Sequence, residues 1–289
     1  MILVTGAAGK TGRALIQDLL AKKEPIRAFV HHSGQVSQLK ATGVLDIVVG
    51  DFHDNASLSR AAQGVRAIYH IPPNVAPHEI SIGKAVIRAA RDAHVEHFFY
   101  HSVLHPHIKA MPHHWKKLLV EELLIGSGLN YTILQPAVYM QNLLSQWDNI
   151  VKNGIYSIPY ARETQLSFVD LEDVAQVAAL VMTEDGHQDA TYELVGTPAL
   201  SQIEVAGIIT KNLDQHVEVK EIPIEVWERT SRASGLGNYQ VSTLIKMFMY
   251  YQQNGFGGNP KVLTGLLGRQ PNSIHNFLSR IRSGRQNGH

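Results

Sequence analysis

The sequence predicts an α/β fold: a doubly wound parallel sheet with helices on both faces and a smaller C-terminal lobe. Three observations favour it. Short β-branched runs alternate with helical periodicity over the first two-thirds of the 289 residues, a glycine-rich turn follows the first run, and one more helix and strand come after the alternation lapses at residue 137. Such alternation is typical of right-handed βαβ units.

Seven runs rich in β-branched and aromatic residues predict the strands. They lie at residues 2–5, 26–30, 45–49, 67–71, 97–101, 131–135 and 191–195. Apolar residues recur at helical spacing at residues 13–22, 57–63, 80–94 and 116–127, and residues 170–173 lead into a helix ending near residue 183. We therefore expect residues 1–136 and 166–196 to form the sheet domain, and residues 137–165 and 197–289 to form the smaller lobe.

The composition is that of a globular chain without a charge-driven partner. Hydrophobic residues make up 44% of it, and 26 basic side chains balance 25 acidic ones to a net charge of +1. That balance provides no excess field for gathering nucleic acid or an anionic membrane. Cysteine is absent, which excludes disulfides and thiolate catalysis. With no visible secretory signal and no run of about 20 apolar residues, we expect a cytoplasmic protein without a membrane span.

A glycine-rich turn between the first strand and the first helix predicts a dinucleotide site. Gly6 permits a tight turn, Gly9 lets the backbone approach a pyrophosphate, and Gly12 allows close helix–strand packing. The pyrophosphate would meet unpaired N–H groups at the helix N-terminus. A phosphate-loop NTPase is excluded because its motif requires glycine where Val4 stands. The cofactor-binding candidates in this turn are Thr5, Gly6, Ala8, Gly9, Lys10, Thr11 and Gly12.

The segments after the second and third strands bear on which dinucleotide binds. NAD sites usually carry Asp or Glu about 20 residues past the glycines, bound to the ribose 2′-hydroxyl. His31 and His32 occupy that place, and with Lys10 they could meet a 2′-phosphate, so NADP(H) is favoured over NAD(H). Asp51 and Phe52 are placed to border the adenine. Two alternatives stay open: solvated loop histidines, and an N-cap or loop role for Asp51.

Several sequence segments, in the same order along the chain, resemble the NmrA-like group of atypical short-chain dehydrogenases/reductases. They are the glycine-rich turn, His101-Ser102, KLLVE at 117–121, GSGLNYTILQP at 126–136, YMQN at 139–142, FVDLEDVA at 168–175 and LGRQP at 267–271. The resemblance implies an NAD(P)-binding Rossmann domain, a substrate-binding lobe, and either a reductase or a nucleotide-sensing regulator. Family members usually carry Arg before Pro136, whereas this chain has Gln135, which weakens any anion contact there.

The resemblance also implies catalytic positions. Short-chain dehydrogenases use a Ser to hold the substrate oxygen, a Tyr to move its proton and a Lys, four residues after the Tyr, to bind the nicotinamide ribose. Ser102 and Lys117 match the Ser and the Lys, but His113 stands at the Tyr position. Two structural alternatives stay open: an i,i+4 pair between Lys117 and Glu121, and a satisfied strand-end hydroxyl for Ser102.

The missing phenol decides which reaction is favoured. Alcohol oxidation by the usual mechanism would lack its acid–base group, and a sugar-nucleotide epimerase would lack it too. A quinone needs less, because its hydroquinone anion is stabilised and could be protonated by solvent or by an imidazole near its unperturbed pKa of about 6.5. His113 and Ser102 are the candidate donors of a proton or hydrogen bond to the bound acceptor. The first hypothesis is therefore an NADP(H)-dependent oxidoreductase acting on a quinone or similar small electrophilic acceptor between the lobes. The alternative is a non-catalytic NADP(H)-sensing regulator that acts through a protein partner.

Candidates for the rest of the substrate site follow the sixth strand. Tyr139, Asn142 and Trp147 come after the carboxyl edge of the sheet, where ligands bind in open α/β folds, and are predicted to wall the pocket. Ordinary packing is the alternative for them. The sequence does not determine whether the chain forms a homo-oligomer. A helix at residues 239–252 could line the substrate site, pack internally or join subunits.

Two further groups of residues receive structural interpretations. The chain has sixteen histidines, and those between residues 94 and 114 run through a helix end, a strand and a loop without Cys or an HExxH pattern, so we expect no metal site. Asp170 and Asp173 are assigned to helix capping. The arginines of the tail are expected to form a solubilising basic end: Arg269, Arg280, Arg282 and Arg285.

Overall fold

The computed structural model describes residues 1–286 and contains the predicted sheet. Its seven strands are arranged in the order β11-β6-β5-β4-β1-β2-β3, and β1 to β6 pair in parallel. The strands are β1 (Ile2–Val4), β2 (Ile26–Val30), β3 (Asp46–Val49), β4 (Ala67–His70), β5 (His97–His101), β6 (Tyr131–Pro136) and β11 (Ala190–Leu194). The doubly wound fold is confirmed, and each strand lies within about two residues of its predicted range.

Helices form the crossovers between these strands, as the apolar spacing predicts. They are α1 (Lys10–Ala21), α2 (Val36–Ala41), α3 (Asn55–Ala62), α4 (Glu79–Asp92), α5 (Pro112–Ile125) and α7 (Leu171–Thr183). α2 is short and was not predicted. The strands are apolar on both sides because helices cover both faces of a doubly wound sheet. One large core cluster joins Leu3, Ile68 and Phe98 of the sheet to Val86 of α4 and Val120 of α5.

The chain divides into two compact units. The first comprises residues 1–109, 113–135 and 174–192, and the second comprises residues 110–112, 136–173 and the chain from residue 193 onward. Residues 166–173, expected in the sheet domain, lie in the second unit, as do residues 110–112, 136 and 193–196. The pairing explains this difference, because β10 (Phe168–Val169) pairs with β7 (Val138–Tyr139) rather than with the large sheet. Substrate binding by the second unit stays a prediction.

The second unit contains small strand pairs and several helices. Besides β7 and β10, β9 (Gln165–Leu166) pairs with β12 (Leu200–Ser201), and β8 (Ile155–Ile158) pairs with β13 (Glu218–Glu221). Its helices are α6 (Trp147–Asn153), α8 (Gln202–Leu213), α9 (Ile224–Ala233), α10 (Asn238–Asn254), α11 (Lys261–Leu267) and α12 (Ile274–Gln286). Only α10 was predicted, at residues 239–252.

The basic tail is not a solubilising end, so that interpretation is wrong. Arg269 contacts Asp173 at 2.7 Å and Arg280 contacts Asp170 at 2.8 Å, and both aspartates are fully buried. Asp170 also accepts a hydrogen bond from the backbone N–H of Glu172, as a helix-capping residue does. Each arginine supplies the charged partner that a buried carboxylate needs. Arg282 donates to the carbonyl of Asn212, while the side chain of Arg285 lies outside the described residues.

Candidate functional site

The glycine-rich turn has the geometry of an anion-binding helix N-terminus. Gly6 has φ +61°, and Gly9 is the N-cap of α1 without a side-chain hydrogen bond to the helix. The N–H groups of the first helical turn therefore have no intrahelical acceptor. No acidic side chain lies in that turn, so its positive dipole is not neutralised. A phosphate group fits these properties better than any side chain present.

Close contacts explain why two of these positions are glycine. A Cβ on Gly12 would lie 2.5 Å from the carbonyl oxygen of Gly6 and 2.7 Å from Cα of Ala7. A Cβ on Gly6 would lie 2.7 Å from the carbonyl oxygen of Ile71. The first helix thus packs directly on the turn, and the turn packs on the end of β4. This agrees with the roles predicted for Gly6 and Gly12.

A second contact joins the turn to the neighbouring strand. The hydroxyl of Thr5 is hydrogen-bonded to Nδ1 of His70 at 2.8 Å and accepts the backbone N–H of Ile71 at 3.0 Å. His70 is fully buried, and burial together with the charge of Lys117 lowers its pKa to about 3. Nε2 of His70 has no hydrogen-bond partner among residues 1–286. The imidazole is therefore neutral, and its second nitrogen is buried without a partner in the described residues. His70 was not predicted from the sequence.

The histidines after β2 lie at the exposed carboxyl edge of the sheet. The rings of His31 and His32 are 4.2 Å apart, and Nδ1 of His31 is 3.9 Å from a carboxylate oxygen of Asp51. Asp51 also accepts the backbone N–H of His53 at 2.8 Å, so it closes a local turn. Phe52 is half-buried, with its ring 5.4 Å from that of Phe29. The structure thus groups His31, His32 and Asp51 but does not test their roles toward a cofactor.

Lys117 takes part in a buried ion pair rather than an exposed helix contact. Its Nζ lies 2.9 Å from Oε1 of Glu79, and the side chains of Lys117 and Glu79 are 15% and 4% exposed. The hydroxyl of Tyr100 donates to the same oxygen at 2.9 Å. The i,i+4 alternative with Glu121 is therefore wrong. The sequence analysis missed Glu79, although the first turn of a helix beyond a parallel strand is a common place for functional groups.

Helix packing brings Lys117 and Glu79 together. Glu79 lies four residues before Gly83 on α4, and Lys117 lies three residues before Val120 on α5, so each pair shares a helix face. A Cβ on Gly83 would lie 2.6 Å from Cγ1 of Val120. The two helices are therefore in close contact one turn beyond the ion pair. The glycine at position 83 is what permits this approach.

Ser102 and Gln135 meet a second buried carboxylate. The hydroxyl of Ser102 donates to Glu121, and the side-chain amide of Gln135 donates to the two Glu121 oxygens at 3.0 and 3.1 Å. Glu121 is 5% exposed, and burial raises its pKa, although hydrogen bonds from Ser102 and Gln135 and the charge of Lys117 oppose that rise. The strand-end hydroxyl of Ser102 is thus satisfied within the protein. Gln135 thus binds a carboxylate of the chain itself.

His113 is not the imidazole of ordinary pKa that the sequence analysis expected. Burial and the charge of Lys117 lower its pKa to about 4, so it is neutral at pH 7. Its Nδ1 has no hydrogen-bond partner in the described part of the chain. The same two causes lower the pKa of His101 to about 3, and His101 is hydrogen-bonded to the hydroxyl of Tyr69 at 2.8 Å. These neutral imidazoles can take part in hydrogen bonds, but at pH 7 they do not carry the extra proton that a general acid would give up.

The remaining candidates are not brought into one site by the contacts that the structure describes. Trp147 is 2% exposed, Tyr139 is half-buried and Asn142 is exposed. Burial of Trp147 fits its packing alternative, and the predicted substrate-wall role of the three residues is untested. Over residues 1–286 no group of three or more His, Cys, Asp and Glu side chains is arranged to hold a metal ion.

Comparison with known proteins decides the family. The sequence profile described as the NmrA-like family matches residues 1–274. The chain belongs to the NmrA-like family. This NmrA-like protein is 28% identical over 286 residues to the NAD(P)H azoreductase of Xenophilus azovorans, covering 96% of each chain. It is 26% identical over 283 residues to quinone oxidoreductase 2 of Escherichia coli strain K12, covering 97% of this chain and 98% of that relative.

Solved structures agree with this assignment. The NADPH-dependent quinone oxidoreductase QOR2 of Escherichia coli, complexed with NADPH, has a TM-score of 0.85 and 26% identity over 98% of this chain and all of that chain. The triphenylmethane reductase of Citrobacter sp., complexed with NADP(H), has a TM-score of 0.82 and 25% identity over 95% and 98% of the two chains. The predicted family and Rossmann fold are confirmed, and these relatives carry the predicted cofactor. Within residues 1–286, no helix is long and apolar enough to cross a bilayer.

Proposed function

We propose that this NmrA-like protein is an NADP(H)-dependent oxidoreductase that reduces a quinone or a similar small electrophilic acceptor. The observation that carries the proposal is the uncapped N-terminus of α1, which offers backbone N–H groups and no acidic side chain to a pyrophosphate. The similarity to an NADPH-bound quinone oxidoreductase over nearly the whole chain supports it. Thr5, Ala8, Gly9, Lys10 and Thr11 would hold the diphosphate.

The class of acceptor follows from what the relatives share. Quinones, azo compounds and triphenylmethane dyes, which appear in the names of these relatives, are conjugated electrophiles that accept two electrons. The nicotinamide ring supplies a hydride when the cofactor is bound. Hydride transfer to a quinone needs no phenolic acid in the same step, because the hydroquinone anion formed is delocalised, and a cationic triphenylmethane dye becomes neutral on taking up hydride without any proton. That property fits His113 at the tyrosine position.

Lys117 would serve two purposes in this reaction. Its ammonium group, held at 2.9 Å by Glu79, is fixed in a mostly buried place and is suited to bind the nicotinamide ribose. A fixed cation in a site of low dielectric also stabilises negative charge that develops on an acceptor. His113 would donate an N–H hydrogen bond as a neutral imidazole. Ser102 would contact the acceptor oxygen.

The test follows NADPH absorbance with a panel of quinones, azo dyes and triphenylmethane dyes. We expect turnover with at least one acceptor, and Lys117→Ala should lower kcat/KM by about 100-fold because a preorganised charge is removed. Lys116→Ala is the matched control, since the half-buried Lys116 donates to the carbonyl of Pro77 rather than to Glu79, so its loss should leave turnover unchanged. Equal losses of turnover and of adenosine-side binding in Lys117→Ala would contradict the nicotinamide-side role. NADPH binding without any turnover would favour the regulator.

The cofactor preference has its own test. His31 and His32 are proposed to meet the 2′-phosphate, although the carboxylate of Asp51 lies 3.9 Å from His31. Replacing both histidines by alanine should lower the affinity for NADPH by about 10-fold while that for NADH changes little, because hydrogen bonds to a charged group contribute roughly 1.5–3 kcal/mol. Titration calorimetry of both cofactors measures this ratio. A wild-type ratio near unity would overturn the assignment.

A further inference from the structure

Two-electron reduction of a neutral acceptor needs a proton as well as a hydride. Histidine at the tyrosine position is a weak source, since the pKa of His113 is lowered to about 4. His101 is hydrogen-bonded to Tyr69, and the hydroxyl of Tyr100 is held by Glu79. The phenol of Tyr100 keeps its proton, because burial and Glu79 raise its pKa, but it donates that proton to Glu79.

In the cluster of Ser102, Glu121 and Gln135, the protonation state of Glu121 determines which side chain donates. A serine hydroxyl carries one proton, and Ser102 donates that proton to Glu121. While Glu121 is a carboxylate, Ser102 can therefore only accept a hydrogen bond from a bound molecule. When Glu121 is protonated, the direction of the hydrogen bond between the two side chains reverses, because the acid donates its proton to the oxygen of Ser102. The hydroxyl of Ser102 can then donate its own proton to a bound molecule. The state of Glu121 thus decides whether Ser102 is a donor.

We propose that Glu121 and Ser102 form a proton relay that completes reduction of the acceptor. This inference depends on the proposed function. The acceptor takes a hydride, with its two electrons, from NADPH, which leaves NADP⁺ and an acceptor anion. Ser102 passes its hydroxyl proton to the anionic oxygen, or nitrogen in an azo acceptor, while the Glu121 acid passes its own proton to Ser102. Glu121 is left as a carboxylate and recovers a proton from water.

Several contacts suit Glu121 to this task. It is 5% exposed, and burial raises its pKa, which favours the acid form. After transfer, the Gln135 amide, at 3.0 and 3.1 Å from the two oxygens, stabilises the carboxylate. Lys117, four residues earlier on α5, favours the carboxylate as well, and Glu121 in turn raises the pKa of the Tyr100 phenol. Glu121 acts through Ser102, so it is a positioning and proton-supplying residue that does not itself touch the acceptor.

The pH dependence has a definite sign. Because the relay needs the acid form, turnover at saturating acceptor should fall as pH rises through the pKa of Glu121. Glu121→Gln removes the titrating group, so this fall should disappear and turnover at the acidic end should drop by about 100-fold, the usual scale of general acid catalysis. Gln135→Leu removes donors to the carboxylate, so the fall should move to higher pH. The exposed neighbour variant Glu122→Gln is the matched control and should keep the wild-type profile.

A second readout does not depend on turnover. In protein labelled with ¹³C at the glutamate side-chain carboxyl carbons, nuclear magnetic resonance should show one glutamate titrating above the others, absent in Glu121→Gln and shifted upward in Gln135→Leu. The relay is overturned if Glu121→Gln keeps the wild-type pH profile, or if Glu121 titrates like an exposed glutamate. Wild-type protein that reduces a quinone or an azo acceptor with no such pH dependence overturns the relay alone. Absence of turnover with every acceptor overturns the proposed function and the relay with it.

Discussion

From the buried ion pair of Lys117 and Glu79 we predict a loss of folding stability that can be measured without any ligand. Glu79→Ala leaves the Lys117 ammonium without its partner at 15% exposure and leaves the buried hydroxyl of Tyr100 without its acceptor. Removal of one member of a buried pair costs about 3–5 kcal/mol, and the lower end applies because Lys117 keeps some contact with water. The lost Tyr100 bond adds about 1 kcal/mol. The free energy of unfolding should therefore fall by about 4 kcal/mol.

A double-mutant cycle separates the cost of leaving a buried charge unpaired from the cost of lost packing. Lys117→Met alone leaves the Glu79 carboxylate unpaired and should lower the free energy of unfolding by about 3 kcal/mol. The double variant Glu79→Ala/Lys117→Met leaves no buried charge unpaired, so it should be more stable than either single variant by about 1–2 kcal/mol. The two substitutions should therefore show a strong coupling energy. Urea unfolding followed by circular dichroism measures all four proteins. Glu122→Ala at an exposed position of α5 should change stability by less than about 0.5 kcal/mol. Additive losses in the double variant would refute the reasoning.

Two further predictions concern backbone packing and acid stability. Gly12→Ala should abolish detectable NADPH binding in calorimetry, because its Cβ would lie 2.5 Å from a backbone oxygen. The control Gly207→Ala, whose Cβ would have no atom within 4 Å, should leave binding intact. Equal binding by both variants would contradict this prediction. Burial keeps His70 neutral with its pKa at about 3, so between pH 6.5 and 3 the unfolded chain binds a proton that the folded chain does not. Stability is thus lost as pH falls through this window by about 1.4 kcal/mol per pH unit for this group. His70→Gln should remove this contribution to the pH dependence of the unfolding free energy, measured by urea titration. His107→Gln, at an exposed position, should keep it. The same pH dependence in both variants would disprove that His70 is buried as a neutral imidazole.

The sheet and the phosphate-binding turn could be predicted because each depends on local sequence. The strands of a parallel sheet are apolar runs bounded by turns, and the helices between them have their own period. Gly6 and Gly12 were identifiable because their backbone contacts lie within the same turn or at the end of the adjacent strand. Lys117 was found through its position relative to the family's motif. In each case a short stretch of chain contains the deciding information.

The partners of these residues could not be predicted, since they come from other crossovers. Glu79 reaches Lys117 only because Gly83 lets α4 and α5 approach, a contact between residues about forty positions apart that no periodicity reveals. The expected pKa of His113 was wrong for the same reason, because burial and a neighbouring charge arise from tertiary packing.

In the second unit, most helices escaped prediction because no regular alternation with strands marks their positions. The Ser201 and Glu204 capping box at the start of α8 is a signal that could have revealed one of them. Helix α9 is amphipathic, but it buries no residue, so its apolar face does not belong to the core of the unit.

The central claim is that the uncapped N-terminus of α1 binds the diphosphate of a nicotinamide dinucleotide. Isothermal titration calorimetry of the purified protein with NADPH, and separately with NADH, tests it without assuming any acceptor. We predict one NADPH bound per chain with an affinity in the micromolar range and weaker binding of NADH. Absence of heat and of saturable binding with both dinucleotides would contradict the claim.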